Sequence, residues 1–174
     1  MGLLPSMACV LTSAFEQRRG GVFVRRAMQC ADEPVSIAVA VPTGHRIATL
    51  IRDSHTFALV LLDRSNRLLM RKFDGRDEGD PFDTLEIMRL VSTAPIPVRA
   101  LAAIDCEVVR HYDLEADHEI YIGQVLAVRA LNLAIDHVLQ EPGMGGPIGQ
   151  PVGTVTVRPV PDPAAPIMYS RAAG

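Results

Sequence analysis

Short apolar runs, separated by polar, glycine-rich or proline-containing stretches, make up most of the first 130 residues. Residues 7–13 and 21–28 are rich in apolar and β-branched side chains, which predicts two strands joined by a polar turn at residues 17–21. After the break at Glu33-Pro34, residues 35–41 form a nearly continuous apolar run. Such a run predicts a strand that is buried on both faces.

The hydrophobic period changes after Gly44. Ile47, Leu50 and Ile51 recur at the i, i+3, i+4 spacing of one helix face, which predicts a short amphipathic helix over residues 44–54. Residues 56–62 return to the β-type pattern and predict a strand. The pattern of the next segment predicts, in chain order, a second helical turn, an exposed acidic loop and a further helix at residues 67–73, 74–83 and 84–91.

Two longer strands are predicted at residues 100–111 and 119–130, joined by a polar connection of hairpin length. Glycine and proline then crowd residues 141–166, which predicts a loop. The chain therefore has about six predicted strands separated by turn signals, an arrangement typical of a β-barrel. Neither an internal repeat nor a linker interrupts the 174 residues, so we expect a single domain.

The composition narrows the range of functions. The net charge is −3 and the basic residues are scattered, so we expect no nucleic-acid partner. The three cysteines, Cys9, Cys30 and Cys106, fit no metal or disulfide spacing, which favours a reducing, cytoplasmic location. Because the chain has neither an apolar run of about 18 residues nor a charged start followed by an apolar stretch, we expect no membrane span and no secretory signal.

Three kinds of site receive little support from the residues. No nucleophile–base pair and no paired carboxylates indicate hydrolysis. A metal site built from His111, Asp113 and His118 is not expected, because their spacing matches no ligand pattern and no carboxylate cluster completes it. The glycines of residues 143–149 are interrupted by Pro147 and do not follow a strand, so they predict a flexible loop rather than a dinucleotide-binding turn.

Three stretches of the sequence carry motifs in a distinctive order. Residues 21–34 contain a glycine, a short strand, a polar stretch and an acidic-proline turn. Residues 47–57 contain a helix that ends in Arg-Asp-Ser. Residues 106–125 begin with Cys-Glu and contain the most specific pattern, Asp-His-x-x-x-x-Gly-x-Val. Together with the tail at residues 166–171, these stretches resemble the flavin-reductase-like family.

The resemblance covers about residues 7–130 and implies the fold. Members of the family are FMN-binding split β-barrels, so we expect a mainly β protein with short helices and about six antiparallel strands in a Greek-key arrangement. The single domain of residues 1–174 then has its core at about residues 7–130. The glycine- and proline-rich loop at residues 141–166 leads to a C-terminal strand at residues 166–171.

The resemblance also implies a function. It favours an FMN-binding flavin reductase that transfers hydride from NADH or NADPH to the flavin, as a homodimer, and passes the reduced flavin to a monooxygenase or another electron acceptor. One alternative is a non-enzymatic FMN electron carrier of the flavoredoxin type. A second alternative is a barrel that has lost its flavin and serves as a binding or scaffold module.

The positions at which the family holds the flavin phosphate differ in this chain. Small hydroxylated residues are usual after the glycine of the first stretch, but here those positions hold Phe23, Val24, Arg25 and Arg26, and residues 42–46 replace a loop rich in Ser and Thr. Cationic donors also bind phosphate, so we interpret four residues as the substitutes, namely Arg25, Arg26, His45 and Arg46. Consecutive strand residues face opposite sides, and of the first two we favour Arg25. Thr43 is interpreted as a contact at a helix N-terminus, or else as a plain N-cap.

His118 has two interpretations. It is either a surface histidine satisfied by Asp117 or, as the resemblance implies, a catalytic residue near the flavin and the nicotinamide. We favour the second interpretation. The resemblance adds three flavin contacts, at Ala27, Met28 and Tyr169, and implies no metal.

Overall fold

The computed structural model describes residues 9–63, 65–74 and 79–132. Within these ranges the chain forms nine strands and two helices. In chain order they are β1 (Cys9–Phe15), β2 (Arg18–Val24), β3 (Ala27–Asp32), β4 (Val35–Pro42), α1 (Arg46–Ser54), β5 (Thr56–Leu61), α2 (Arg67–Lys72), β6 (Ile87–Met88), β7 (Ile96–Pro97), β8 (Ala102–Asp113) and β9 (His118–Ala130). The predicted loop at residues 141–166 and the predicted strand at residues 166–171 lie outside the described residues.

Seven strands form one antiparallel sheet in the order β2-β1-β5-β8-β9-β4-β3. Contacts between β2 and β4 bring its two ends towards each other, as in a split barrel. Strands β5, β8 and β9 are successive neighbours, and β4 lies beside β9 although it precedes β5 in the chain, which is the Greek-key order. The mainly β, antiparallel fold with few helices is therefore confirmed, with seven strands in the main sheet rather than about six.

The barrel interior is filled by every second residue of its strands and by one face of α1. Buried side chains such as Leu11, Val39 and Tyr121 meet Ile47 and Ile51 of the helix there. The predicted amphipathic helix is thus confirmed, because its apolar face covers the barrel core. It begins at Arg46, two residues later than the sequence predicts.

A second apolar layer covers the outer face of part of the sheet. Val10 and Val60 project outwards from β1 and β5 and pack beneath Phe73 and Phe82, whose rings meet edge to face at 5.2 Å. These two strands are therefore buried on both faces. The prediction of such burial for β4 is wrong, because its outer residues, such as Ala38, are only half-buried.

Three local predictions are also wrong. The turn predicted at residues 17–21 lies at Glu16 and Gln17, and the strand predicted at residues 21–28 is broken at Arg25 and Arg26. No helix forms at residues 84–91, where Ile87 instead begins the short strand β6. Tertiary contacts override the local pattern there, because β6 pairs with β7 and packs against the outer apolar layer.

The described end of the acidic segment, residues 79–83, is less exposed than the sequence predicts. Phe82 is fully buried, and the Asp80 carboxylate accepts hydrogen bonds from the Phe82 backbone N–H at 2.8 Å and from the Arg19 side chain at 2.5 Å. The guanidinium of Arg19 also lies 5.6 Å from the centre of the Phe82 ring. These contacts fasten the segment to the hairpin of β1 and β2.

Candidate functional site

Two turns and a bend meet at one corner of the barrel. The bend between β2 and β3 contains Arg26, the turn between β4 and α1 contains Thr43, and the turn between β8 and β9 ends with Asp117 and His118. His118 is the first residue of β9 and pairs with the last residue of β4. We call these four residues the β9 corner.

The side chains of Arg26 and His118 contact each other across the β9 corner. Arg26 Nη1 lies 3.4 Å from His118 Nε2. Because a guanidinium can only donate, this contact makes Nε2 the acceptor and places the ring proton on Nδ1. The backbone carbonyl of Arg26 accepts the N–H of Ala40 at 2.9 Å, which holds the bend against β4. Of the two neighbouring arginines, the structure thus brings Arg26 rather than Arg25 to His118.

The other ring nitrogen of His118 faces Asp117. Nδ1 lies 3.1 Å from Asp117 Oδ2 but is buried and off the direction of an aligned hydrogen bond. This bent contact with the His118 ring N–H lowers the pKa of Asp117. The interpretation of His118 as a surface histidine satisfied by Asp117 is therefore incomplete, because Arg26 contacts the other ring nitrogen.

A tight turn joins β4 to α1. The His45 N–H donates to the Pro42 carbonyl at 3.2 Å, and Gly44 has a φ of 75°, as the third position of a type II turn requires. His45 is the N-cap of α1, because its Nδ1 accepts the Ile47 N–H at 3.2 Å. The alternative of Thr43 as a plain N-cap is therefore wrong.

The capping hydrogen bond determines which ring nitrogen of His45 carries the proton. Since Nδ1 is an acceptor, the neutral ring carries its proton on Nε2, which remains available as a donor. Burial lowers the pKa of His45, and the neighbouring charge of Arg46 lowers it further. His45 is therefore a neutral hydrogen-bond donor at pH 7, next to the N-terminus of a helix.

The remaining predicted residues are dispersed. The guanidinium of Arg25 lies 5.8 Å from the centre of the Phe23 ring. Ala27 packs against the barrel core, whereas Met28 lies on the outer face with 65% of its surface exposed. Arg46 Nη2 donates to the Gly79 carbonyl at 3.2 Å. Tyr169 lies outside the described residues.

Arg46 thus lines a separate cavity of about 320 Å³ with Arg18 and Arg19. These two arginines are paired with Asp53 and Asp80, respectively. The structure therefore brings together Arg26, Thr43 and His118, but it directs the Arg46 side chain away from them.

A polar cluster that the sequence pattern does not predict lies on the inner side of β9. The Glu119 carboxylate, 6% exposed, lies 2.6 Å from His111 Nε2 and accepts the Tyr121 hydroxyl at 3.3 Å. The rings of His111 and Tyr121 stack with their centres 4.5 Å apart. Burial, followed by the charge of Glu119, raises the pKa of Tyr121 to about 12. The hairpin register could have revealed this cluster, since His111 pairs with Tyr121, two residues after Glu119.

The glycine of the Asp-His-x-x-x-x-Gly-x-Val pattern has a steric role. A Cβ on Gly123 would lie 2.5 Å from Phe57 Cζ and 2.8 Å from Cys106 Cβ, both in the barrel core. Only a residue without a side chain fits this close approach. The pattern therefore combines a structural glycine with the histidine of the β9 corner.

Thiol, metal and membrane chemistry can be assessed for the described part of the chain. Burial raises the pKa of Cys9 to about 11, and burial with the charge of Asp105 raises that of Cys106 to about 12, so neither is a thiolate at neutral pH. Within the described ranges, no three side chains of His, Cys, Asp or Glu are placed to hold a metal ion. No helix found there is long and apolar enough to span a membrane.

Comparison with known proteins identifies a family. The family model described as "Flavin reductase like domain" matches residues 1–139 of this chain. A protein of uncharacterised function from Aeropyrum pernix is 32% identical over 139 residues, which are 72% of this chain and 50% of that protein. A putative diflavin flavoprotein of Nostoc sp. is 25% identical over 145 residues, 79% of this chain and 25% of that protein. The chain thus spans half or less of the length of these two relatives.

Solved structures share the fold at low identity. The NADH:FAD oxidoreductase SgcE6 of Streptomyces globisporus has a TM-score of 0.67 and 23% identity, covering 73% of this chain and 76% of that one. The styrene monooxygenase flavin reductase SMOB of Pseudomonas putida has a TM-score of 0.64 and 22% identity, covering 74% and 82%. Flavoredoxin from Methanosarcina acetivorans has a TM-score of 0.68 and 12% identity, covering 74% and 70%.

Proposed function

The chain belongs to the flavin reductase-like family, and on that premise we propose that it binds FMN and transfers hydride from NADH or NADPH to the flavin. The observation that carries the proposal is the contact between Arg26 and His118. It joins the most specific motif of the chain to an arginine that stands where the family usually has small hydroxylated residues. The function therefore rests on the β9 corner rather than on the fold alone.

The donors near this corner suit an anionic cofactor. Arg25 and Arg26 are exposed, and no described carboxylate pairs with either of them. His45 contributes an N–H at the start of α1, where the helix dipole also favours negative charge. We propose that these three residues hold the FMN phosphate, with Ala27, Met28 and Tyr169 as further contacts. Arg46 joins them only if its bond to Gly79 opens.

His118 is proposed as the catalytic residue that lines the pocket shared by flavin and nicotinamide. Bound FMN would supply the redox chemistry, while the chain binds and orients the reactants. Arg26 Nη1 occupies the lone pair of His118 Nε2.

A homodimer is proposed from the outer face of the sheet. The alternating pattern of β3, β4, β8 and β9 places apolar residues on this face, which no helix of the described residues covers. They include Met28, Ala38, Tyr112, Ile120 and Ile122. Half-buried and exposed apolar side chains in one continuous patch are typical of an interface between subunits. An Ile122→Lys variant that sediments as a monomer, beside a dimeric wild-type protein, would support this interface.

The acceptor of the electrons is proposed to be a monooxygenase or another redox partner in the cytoplasm. One structural neighbour, SMOB, is the flavin reductase of a styrene monooxygenase. An electron carrier without NAD(P)H activity is the second candidate, supported by the similarity to flavoredoxin. The two differ in one respect, since only a reductase oxidises NADH or NADPH in the presence of flavin.

Steady-state turnover with separate flavins and nucleotides tests the proposal. Purified protein is mixed with FMN, FAD or riboflavin, and absorbance at 340 nm follows the oxidation of NADH or NADPH. The reductase predicts turnover with FMN, and FAD is the necessary comparison because SgcE6 is an NADH:FAD oxidoreductase. FMN binding without NAD(P)H oxidation would favour the electron carrier. The absence of any flavin binding would favour a flavin-free binding module.

A further inference from the structure

Thr43 sits at the predicted phosphate loop, but its donors are already engaged with the β9 corner. Its backbone N–H donates to the Asp117 carbonyl at 3.0 Å. Its hydroxyl donates to the Ala116 carbonyl at 2.9 Å. One residue thus holds two successive carbonyls of the turn that immediately precedes His118.

The chemistry of a hydroxyl limits what else Thr43 can do. A threonine has one hydroxyl proton, and here that proton is given to Ala116. A phosphate dianion brings no proton, so a phosphate contact would need the same proton from Thr43. Binding the cofactor through this hydroxyl would therefore release one of the two links to the turn.

The described part of the chain offers the turn no other attachment of this kind. Within the described ranges, the hydrogen bonds that join residues 114–117 to another element both come from Thr43. The one side-chain bond inside the turn, from the Glu115 N–H to Asp113, is local. Leu114 is 50% exposed and belongs to neither of the two buried apolar clusters. Loss of the Thr43 bonds would leave the turn without a hydrogen bond to a neighbouring element, although His118 would still pair with Pro42 in the ladder of β4 and β9.

The residues of β9 that follow His118 are held by hydrogen bonds to other strand residues. The next residue, Glu119, is buried and bonded to His111 and Tyr121 inside the barrel. His118 therefore lies between a rigid strand and a turn whose position depends on Thr43. Its Nε2 lies 3.4 Å from Arg26 Nη1.

We infer that Thr43 is a positioning residue that fixes the His118 ring beside Arg26, and that it is not a ligand of the cofactor. This inference rests on the proposed reductase function, because it assigns His118 a reacting partner. The type II turn at Gly44 supports it, since that turn directs both Thr43 donors towards residues 116 and 117. The resemblance alone points the other way, to Thr43 as a phosphate contact.

Two variants separate these roles. Thr43→Val keeps the shape of the side chain and removes the hydroxyl, whereas Thr43→Ser keeps the hydroxyl. A positioning role predicts that Thr43→Val slows reduction of bound FMN by about 3- to 10-fold, the effect of one hydrogen bond, and that Thr43→Ser restores the rate. The Kd for FMN should change less than about twofold in both variants.

A second readout does not depend on activity. Nitrogen-15 NMR of the imidazoles, with His118→Gln to assign the signal, reports the protonation and tautomer of His118 in the flavin-free protein. Thr43→Val should shift the His118 nitrogen signals from those of the Nδ1–H form towards a mixture of tautomers, and Thr43→Ser should not. If the wild-type protein reduces no flavin, the proposed function fails while this measurement still decides the role of Thr43.

Three results would overturn the inference. A Kd for FMN that rises more than tenfold in Thr43→Val, with an unchanged reduction rate, would make Thr43 a cofactor ligand. Unchanged rates and unchanged His118 signals would leave it an ordinary turn residue. If Thr43→Val does not fold, Thr43→Ala takes its place, and wild-type His118 signals in that variant would equally refute the inference.

Discussion

Replacement of Gly123 by alanine tests the packing that underlies the most specific motif. The new Cβ would lie 2.5 Å and 2.6 Å from two ring atoms of Phe57 and 2.8 Å from Cys106 Cβ. Real Cβ atoms do not approach so closely, and Phe57 is fully buried, so the ring or the strands must shift. Overpacking of this kind costs about 1–3 kcal/mol, and the contact with Cys106 places Gly123→Ala in the upper half of that range.

A double-mutant cycle identifies the cause. Phe57→Leu alone should lose roughly 1–2 kcal/mol by removing buried ring atoms. In the double variant the smaller side chain at position 57 makes room for the new methyl group. Its loss in free energy of unfolding should therefore be smaller than the sum of the two single losses by at least about 1 kcal/mol. Gly79→Ala is the matched control, because nothing lies within 4 Å of its Cβ position. Urea denaturation followed by circular dichroism gives the four free energies of unfolding, and additive losses would refute the steric explanation.

The other predictions concern the charges around α1 and the β9 corner. His45→Asn should keep the N-cap and abolish one pH dependence of folding stability. Because the pKa of His45 is lowered in the folded chain, the unfolded chain binds more protons just below the ordinary histidine pKa. Wild-type stability is therefore complete above about pH 6.5 and declines as the pH falls towards the lowered value. Urea denaturation at pH 7.5 and 5.5 checks this, and an equal loss in His45→Asn on acidification would contradict it. Arg26→Ala should weaken FMN binding by about 1.5–3 kcal/mol, the range for hydrogen bonds to charged groups, while Arg129→Ala, at the far end of β9, should change it by less than about 0.5 kcal/mol. Fluorescence titration with FMN measures both, and equal effects would remove Arg26 from the site.

The β-rich fold could be predicted because its signals are local. The alternation along β9 and the i, i+3, i+4 spacing of Ile47, Leu50 and Ile51 each require only a few neighbouring residues. The failures occurred where distant segments decide the structure. Residues 84–91 read as a helix, but pairing with β7 makes part of them a strand. Burial of a strand on both faces depends on what packs above it, and α2 with the residues near Phe82 covers β1 and β5 rather than β4.

The candidate site was predictable only in part for the same reason. The motif identified His118, and the resemblance pointed to the arginines and to the loop before α1. The partner of His118 depends on how the bend at Arg25 and Arg26 is placed, and strand alternation gives no guidance inside a bend. The direction of Arg46 depends on Gly79, which is 33 residues away in the chain. The Glu119 cluster required the register of a hairpin that contains two bulges.

The central claim is that His118 takes part in reduction of a flavin bound at the β9 corner. Stopped-flow absorbance at 450 nm, with FMN-loaded protein mixed with saturating NADH and, separately, NADPH, measures that step directly. We expect the wild-type protein to bleach with at least one of the two nucleotides, and His118→Ala to bleach at least about tenfold more slowly with little change in FMN affinity or stability. A wild-type rate in His118→Ala at every nucleotide concentration would contradict the claim and leave His118 as a residue of the turn.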